Sequence, residues 1–115
     1  MAISWIEHNS KKILFVNFKN LKSEELMQAT LEYKKVLLEN PSGDLLVLID
    51  FTDSILGGEP AKIAKDAEIQ AKEKGIILKT SCTGITGIKK IIAKGVKPNL
   101  HIANSIEESK EWLVN

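Results

Sequence analysis

The sequence predicts a single α/β domain over residues 1–115, built on a mixed sheet of about five strands with about four helices in the order β-β-α-β-α-β-α-β-α. Three observations predict it. Leu45-Leu46-Val47-Leu48-Ile49 is an aliphatic run with no polar alternation, the pattern of a strand buried on both faces of a sheet. Strand-like runs then alternate with segments of helical period, as in a sheet covered by helices. Finally, a chain of 115 residues forms one core without disulfides or metals and is too short for two ordinary domains.

In chain order, Ala2 to Glu7 and Lys12 to Phe18 read as two strands joined in a hairpin through His8, Asn9, Ser10 and Lys11. The first is expected at the sheet edge and the second deeper. Ser23 offers an N-cap oxygen to the next segment, and Glu24 and Glu25 suit the positive end of a helix. Leu26, Ala29, Tyr33, Val36 and Leu37 recur at helical spacing and form its apolar face. Asn40-Pro41-Ser42-Gly43 ends that helix and turns into the central strand.

A second helix begins near Pro60, carries Ile63, Ala64, Ala67 and Ala71 as a narrow apolar stripe, and stops at Gly75. Ile76-Ile77-Leu78 opens a fourth strand, a short helix is expected from about Ile88 to Lys94, and Leu100 to Ala103 forms a short fifth strand. Ser105-Ile106-Glu107-Glu108 matches the capping box that starts a last helix, with Ile106, Trp112 and Leu113 pinning it to the body. The later strands are expected to be parallel, joined by right-handed crossovers.

Composition excludes several classes. All sixteen basic residues are lysine, and net charge is +1 without a block of like charge. The absence of arginine's planar fork argues against sequence-specific nucleic-acid readout and against an arginine clamp. The single cysteine, Cys82, forms no internal disulfide. No signal-peptide pattern precedes the first strand and no run of about 18 apolar residues occurs, so a soluble cytoplasmic protein without a transmembrane segment is expected.

Two polar clusters stand at strand ends, where open α/β sheets usually bind ligands. The first is Asp50, Thr52, Asp53 and Ser54, followed by Gly57 and Gly58. Asp50 and Asp53 suit a carboxylate pair that moves a proton or holds a hard cation. Short polar side chains at such places more commonly bond their own backbone in turns, and that structural role is the favoured expectation for Asp50 and Asp53. The second cluster is Thr83, Gly84, Thr86 and Gly87, flanked by Thr80 and Ser81. Its hydroxyls, the amides of a following helix and Lys89 or Lys90 suit an anion, although Gly-x-x-Gly lacks the full phosphate-loop pattern. His8 and His101 fall in no catalytic motif, so packing or surface roles are expected of them, and no cofactor or metal set emerges.

Ile3-Ser4-Trp5-Ile6-Glu7-His8, Leu46-Val47-Leu48-Ile49-Asp50-Phe51-Thr52, Gly84-Ile85-Thr86-Gly87-Ile88-Lys89-Lys90 and the ending Ile102 to Leu113 resemble the SpoIIAA-like (STAS-like) family over nearly the whole chain. The resemblance implies a sheet whose first strand is antiparallel and a role in binding or regulation rather than catalysis. Anti-sigma-factor antagonists of that superfamily carry a phosphorylatable Asp-Ser-Ser-Gly motif, which Ile55-Leu56-Gly57-Gly58-Glu59-Pro60 does not reproduce, leaving Thr52 and Ser54 as conjectural targets. Part of the SpoIIAA-like branch is grouped with CRAL-TRIO lipid-binding domains.

The first expectation is therefore a non-enzymatic STAS-like module that binds a protein partner through the strand-end loops. The alternative is a small apolar-ligand or lipid-binding protein gated by Ile55-Leu56-Gly57-Gly58. A small hydrolase ranks third, since no nucleophile, base and orienter assemble from the sequence. Should the helices gather on one face, a homodimer is one way to cover the other.

Overall fold

The computed structural model describes residues 2–55, 57–87 and 100–115. They form a five-stranded sheet in sequential order, β1 (Ile3–His8), β2 (Lys11–Asn17), β3 (Gly43–Asp50), β4 (Ile76–Thr83) and β5 (His101–Ile102). β1 runs antiparallel to β2, and every later pairing is parallel. Three helices accompany it among the described residues, α1 (Ser23–Glu39), α2 (Gly58–Glu73) and α3 (Ile106–Val114). The expected helix from Ile88 to Lys94 lies outside the described residues.

Local chemistry accounts for most boundaries. Asn9 and Ser10, both with positive φ, make the two-residue turn between β1 and β2, a backbone twist that matches paired strands. Gly75, at φ +86°, follows the end of α2 and donates its amide to Lys72 O at 3.0 Å, as a left-handed terminator does. At α3 the Ser105 hydroxyl accepts the Glu108 amide at 3.1 Å, the first half of the expected capping box. The second half is displaced by one residue, because the Glu108 carboxylate meets the Asn104 amide instead of that of Ser105. Ser23 does not cap α1. The helix starts at Ser23 with Lys22 in the cap position and no side-chain bond there, its entry set instead by loop contacts to Asn20 and Leu21.

β3 has a helical layer on each side. Leu45, Val47 and Ile49 join Leu14, Val16, Tyr33, Leu37, Ala67 and Ala71 in the larger core under α1 and α2. Leu48 packs with Ile13, Leu113 and Val114 under α3, with Leu46 and Phe15 partly buried beside them. The second face of the sheet is thus covered by the chain's own last helix, which removes the reason the sequence offered for a homodimer.

α3 is docked by cations from the sheet. Its last turn contains no basic residue, yet the Lys79 ammonium donates to the Trp112 and Leu113 carbonyls at 2.9 and 3.1 Å, and Lys11 donates to Val114 O at 3.2 Å. These ammonium groups satisfy carbonyls that the helix itself leaves open, at the end where its dipole favours positive charge. Lys79→Met is expected to cost about 1.5–3 kcal/mol, the range for hydrogen bonds to a charged group, measured as a lower urea midpoint with unchanged slope.

Tyr33 supplies a second check. Its ring is fully buried and its hydroxyl donates to Glu68 Oε2 at 3.1 Å. Burial, then the Glu68 charge and this hydrogen bond, hold its pKa well above the usual tyrosine value. Because the folded value is raised, this stabilisation is complete below about pH 10, where the unfolded tyrosine ionises, and is lost as pH rises through the folded value. Tyr33 is the chain's one tyrosine. Absorbance near the tyrosinate band is therefore expected to rise only together with alkaline unfolding; a titration of the intact fold near pH 10 would contradict this.

Candidate functional site

The carboxyl ends of three strands stand level, with Asn17 beside Asp50 and Asp50 beside Thr83. Pairing continues beyond the strands: Phe18 N donates to Asp50 O, Phe51 N to Thr83 O, and Asn20 N to Thr52 O, each at 2.9 Å. Three loops are thereby laced into one rim. The sheet order is sequential, and both α1 and α2 pack on the same core, so no reversal of strand order opens a crevice between these ends.

The Asp50 carboxylate, 5% exposed, is engaged within its own turn. Its Oδ1 accepts the Thr52 amide at 2.9 Å and the Thr52 hydroxyl at 2.6 Å. Asp53 points outward from a left-handed backbone at φ +55°, so the two carboxylates do not form a buried pair. Ser54 is buried and its hydroxyl donates to Leu21 O at 2.9 Å. Both hydroxyls proposed as phosphorylation targets are therefore spent on the fold: Thr52 on Asp50, Ser54 on Leu21.

Thr83 is buried, whereas Thr86 and Gly87 are exposed, as is Gly58 at the start of α2; Gly57 is half-buried. Gly84 has the tightest constraint. At φ +82°, a Cβ there would stand 2.6 Å from the Thr52 Cα and closer still to its amide nitrogen and hydroxyl. Only a residue without a side chain lets the two loops touch. Lys89 and Lys90, expected to help hold an anion, lie outside the described residues. Among the described residues, no group of three or more His, Cys, Asp or Glu is placed to hold a metal ion.

Two features escaped the sequence reading. One is the loop from Lys19 to Lys22, the third part of the rim, where Asn20 takes φ +62°; asparagine after a strand, a residue that tolerates this conformation, was the available signal. The other lies on the α3 face of β4. Ser81 Oγ is 2.8 Å from both His101 Nδ1 and Ser109 Oγ, and the His101 ring stacks on Trp112 at 4.0 Å with 1° between planes. Lys79 Nζ lies 4.6 Å from the same indole. This brings a hydroxyl and an imidazole together, but Ser81 on β4 and Ser109 on the facing side of α3 are both fully buried, so no substrate carbon reaches the serine oxygen. The arrangement ties β4, β5 and α3 to one another. His8 likewise meets α3, with Nε2 2.8 Å from Glu111 Oε1.

No protein-family model, curated protein or solved structure matches this chain. No helix among the described residues is long and apolar enough to cross a membrane.

The two rim glycines separate close approach from backbone conformation. Gly84→Ala is expected to lose at least about 3 kcal/mol, from steric overlap added to an unfavourable left-handed alanine. Gly87→Ala, at φ +57° with nothing within 4 Å of the new methyl, should lose only about 1–2 kcal/mol. Equal losses in chemical denaturation would show that the Gly84–Thr52 approach does not hold the rim.

Proposed function

We propose that this chain is a non-enzymatic binding or regulatory module of the STAS-like type, engaging a protein partner through the rim at the carboxyl ends of its strands. One observation carries the reading: Ile55 is 48% exposed on a rim whose neighbouring backbone is pinned by Asn20, Thr52 and Gly84. Asp53, Thr86, Lys19 and Lys22 are also exposed on the rim loops. An apolar residue among polar and charged ones, beside loops tied to one another by backbone hydrogen bonds, suits a protein surface.

Local conformation points the same way. Asn20, Ser23 and Asp53, all near this rim, have positive φ although none is glycine. Such conformations persist where the surrounding structure enforces them, and they recur at ligand clamps and switches. Asp50 acts within this scheme as the brace of the loop, holding Thr52 in the position against which Gly84 packs.

The reading is tested by partner capture from the source cell with wild type and the double variant Asp53→Ala/Thr86→Ala, both substitutions being of exposed side chains. A specific partner should be lost or at least about tenfold weakened by the pair, as expected when one or two contact residues are truncated. Equal capture of every partner removes these loops from the function.

A further inference from the structure

We infer that β1 is a self-pairing edge, joining two copies of the chain into one continuous sheet in a register centred on Ile6. This outer edge of the sheet is a surface separate from the rim.

The phase of hydrogen bonding in the hairpin decides which groups point outward. His8 and Lys11 close the two-residue turn, and Asn17 N donates to Ala2 O at 2.8 Å. In antiparallel pairing, residues that exchange both bonds alternate with residues that exchange none. Ala2, Ser4, Ile6 and His8 therefore bond toward β2, while the backbone groups of Ile3, Trp5 and Glu7 point away from it. The Ile3 amide confirms the phase, since it reaches out to Glu32 Oε1 at 3.3 Å.

Among the described residues, the amides and carbonyls of Trp5 and Glu7 have no partner at this edge. Natural sheets usually blunt such an edge with charge, proline or a covering element. Here the guard is local. Glu32 occupies the Ile3 amide, Trp5 stands 49% exposed in mid-strand, and no proline interrupts the run.

The guard also selects the register. A twofold axis at Trp5 would set Ile3 opposite Glu7 of the second copy and require the amide that Glu32 already holds. An axis at Ile6 pairs Trp5 with Glu7 of the second copy, and Glu7 with its Trp5. Each pair exchanges two bonds, giving four backbone hydrogen bonds made wholly from unpaired groups. The two Ile6 side chains then meet across the seam on the α3 face, where each already packs beside Ile13 and Leu48. The Trp5 side chains flank them on the opposite face, since successive residues of a strand alternate. The two Glu7 carboxylates approach diagonally, and each keeps Lys12 as its cross-strand neighbour. Any extended strand can supply backbone bonds to an edge, so side chains choose the occupant; a second copy brings the Ile6–Ile6 contact and both Trp5–Glu7 pairs together by symmetry.

Sedimentation velocity of the full chain should show a monomer–dimer equilibrium with a dissociation constant of roughly 10–100 µM, as fits a small interface. Trp5→Pro removes an amide that β2 does not use and is tolerated on an outer edge. It deletes two of the four bonds and should weaken the dimer about tenfold or more. Trp5→Glu, which sets a carboxylate directly opposite Glu7 of the second copy, should do the same while leaving the backbone intact. Amide exchange supplies a readout in the wild-type protein: Trp5 and Glu7 should gain protection as concentration rises, with Ser4 and Ile6 protected throughout. A monomer persisting to about 1 mM, or a dimer indifferent to both variants, would overturn the proposal. So would protection of Trp5 and Glu7 that appears only on adding another protein.

Discussion

A strand buried on both faces needs a layer of structure on each side, and Gly43–Asp50 imposes that need on the whole chain. Its odd-numbered aliphatics face α1 and α2, and its even-numbered ones face α3. Breaking either layer would leave part of an uninterrupted apolar run in water, at about 25 cal/mol for each Å² exposed. The same strand fixes the functional end. Asp50 is the last residue of the run to turn toward α3, and its carboxylate, rather than facing solvent, closes the turn that carries Thr52 to Gly84.

Lysine-only basic composition takes on a structural meaning here. α1 and α3 both lack a basic residue in their last turns, and both receive ammonium groups from elsewhere, Lys74 at Leu38 O and Lys79 with Lys11 at the end of α3. An ammonium is a compact charge with three rotatable donors, suited to carbonyls converging at a helix end, whereas arginine's planar fork is matched to carboxylates and phosphates. The lack of arginine thus bears on how helices are capped as much as on which ligands are excluded.

The elements legible in the sequence were those decided locally or by burial. The aliphatic run marked β3, alternation marked β1 and β2, Gly75 marked the end of α2, and Ser105 with Glu108 marked the start of α3. What was not legible depends on register between distant segments. Ser81 meets His101 only because β4 and β5 pair at those residues, and meets Ser109 only because α3 crosses above them. Ser23 looked like a cap because local rules favour serine there. Bonds from Asn20 to Thr52 and from Ser54 to Leu21, both long-range, set the start of α1 instead. The rim residues were readable as polar strand ends, but not the division of labour by which Asp50, Ser54 and Thr83 turn inward and Asp53, Thr86 and Gly87 face out.

The proposed rim and the proposed edge are geometrically linked. β1 pairs with its copy antiparallel, so the parallel strands of one subunit run opposite to those of the other. Their carboxyl ends, with Asp53, Ile55 and Thr86, then lie at opposite ends of a ten-stranded sheet. Self-association neither covers a rim nor brings two rims together. A partner bound at each would be held apart by the shared sheet, and weak linkage between the two events is expected, because the strands between edge and rim are packed on both faces and a packed core resists continuous deformation. The dimer in this reading is a two-ended adaptor whose ends act independently, unlike a switch that joins or separates two sites.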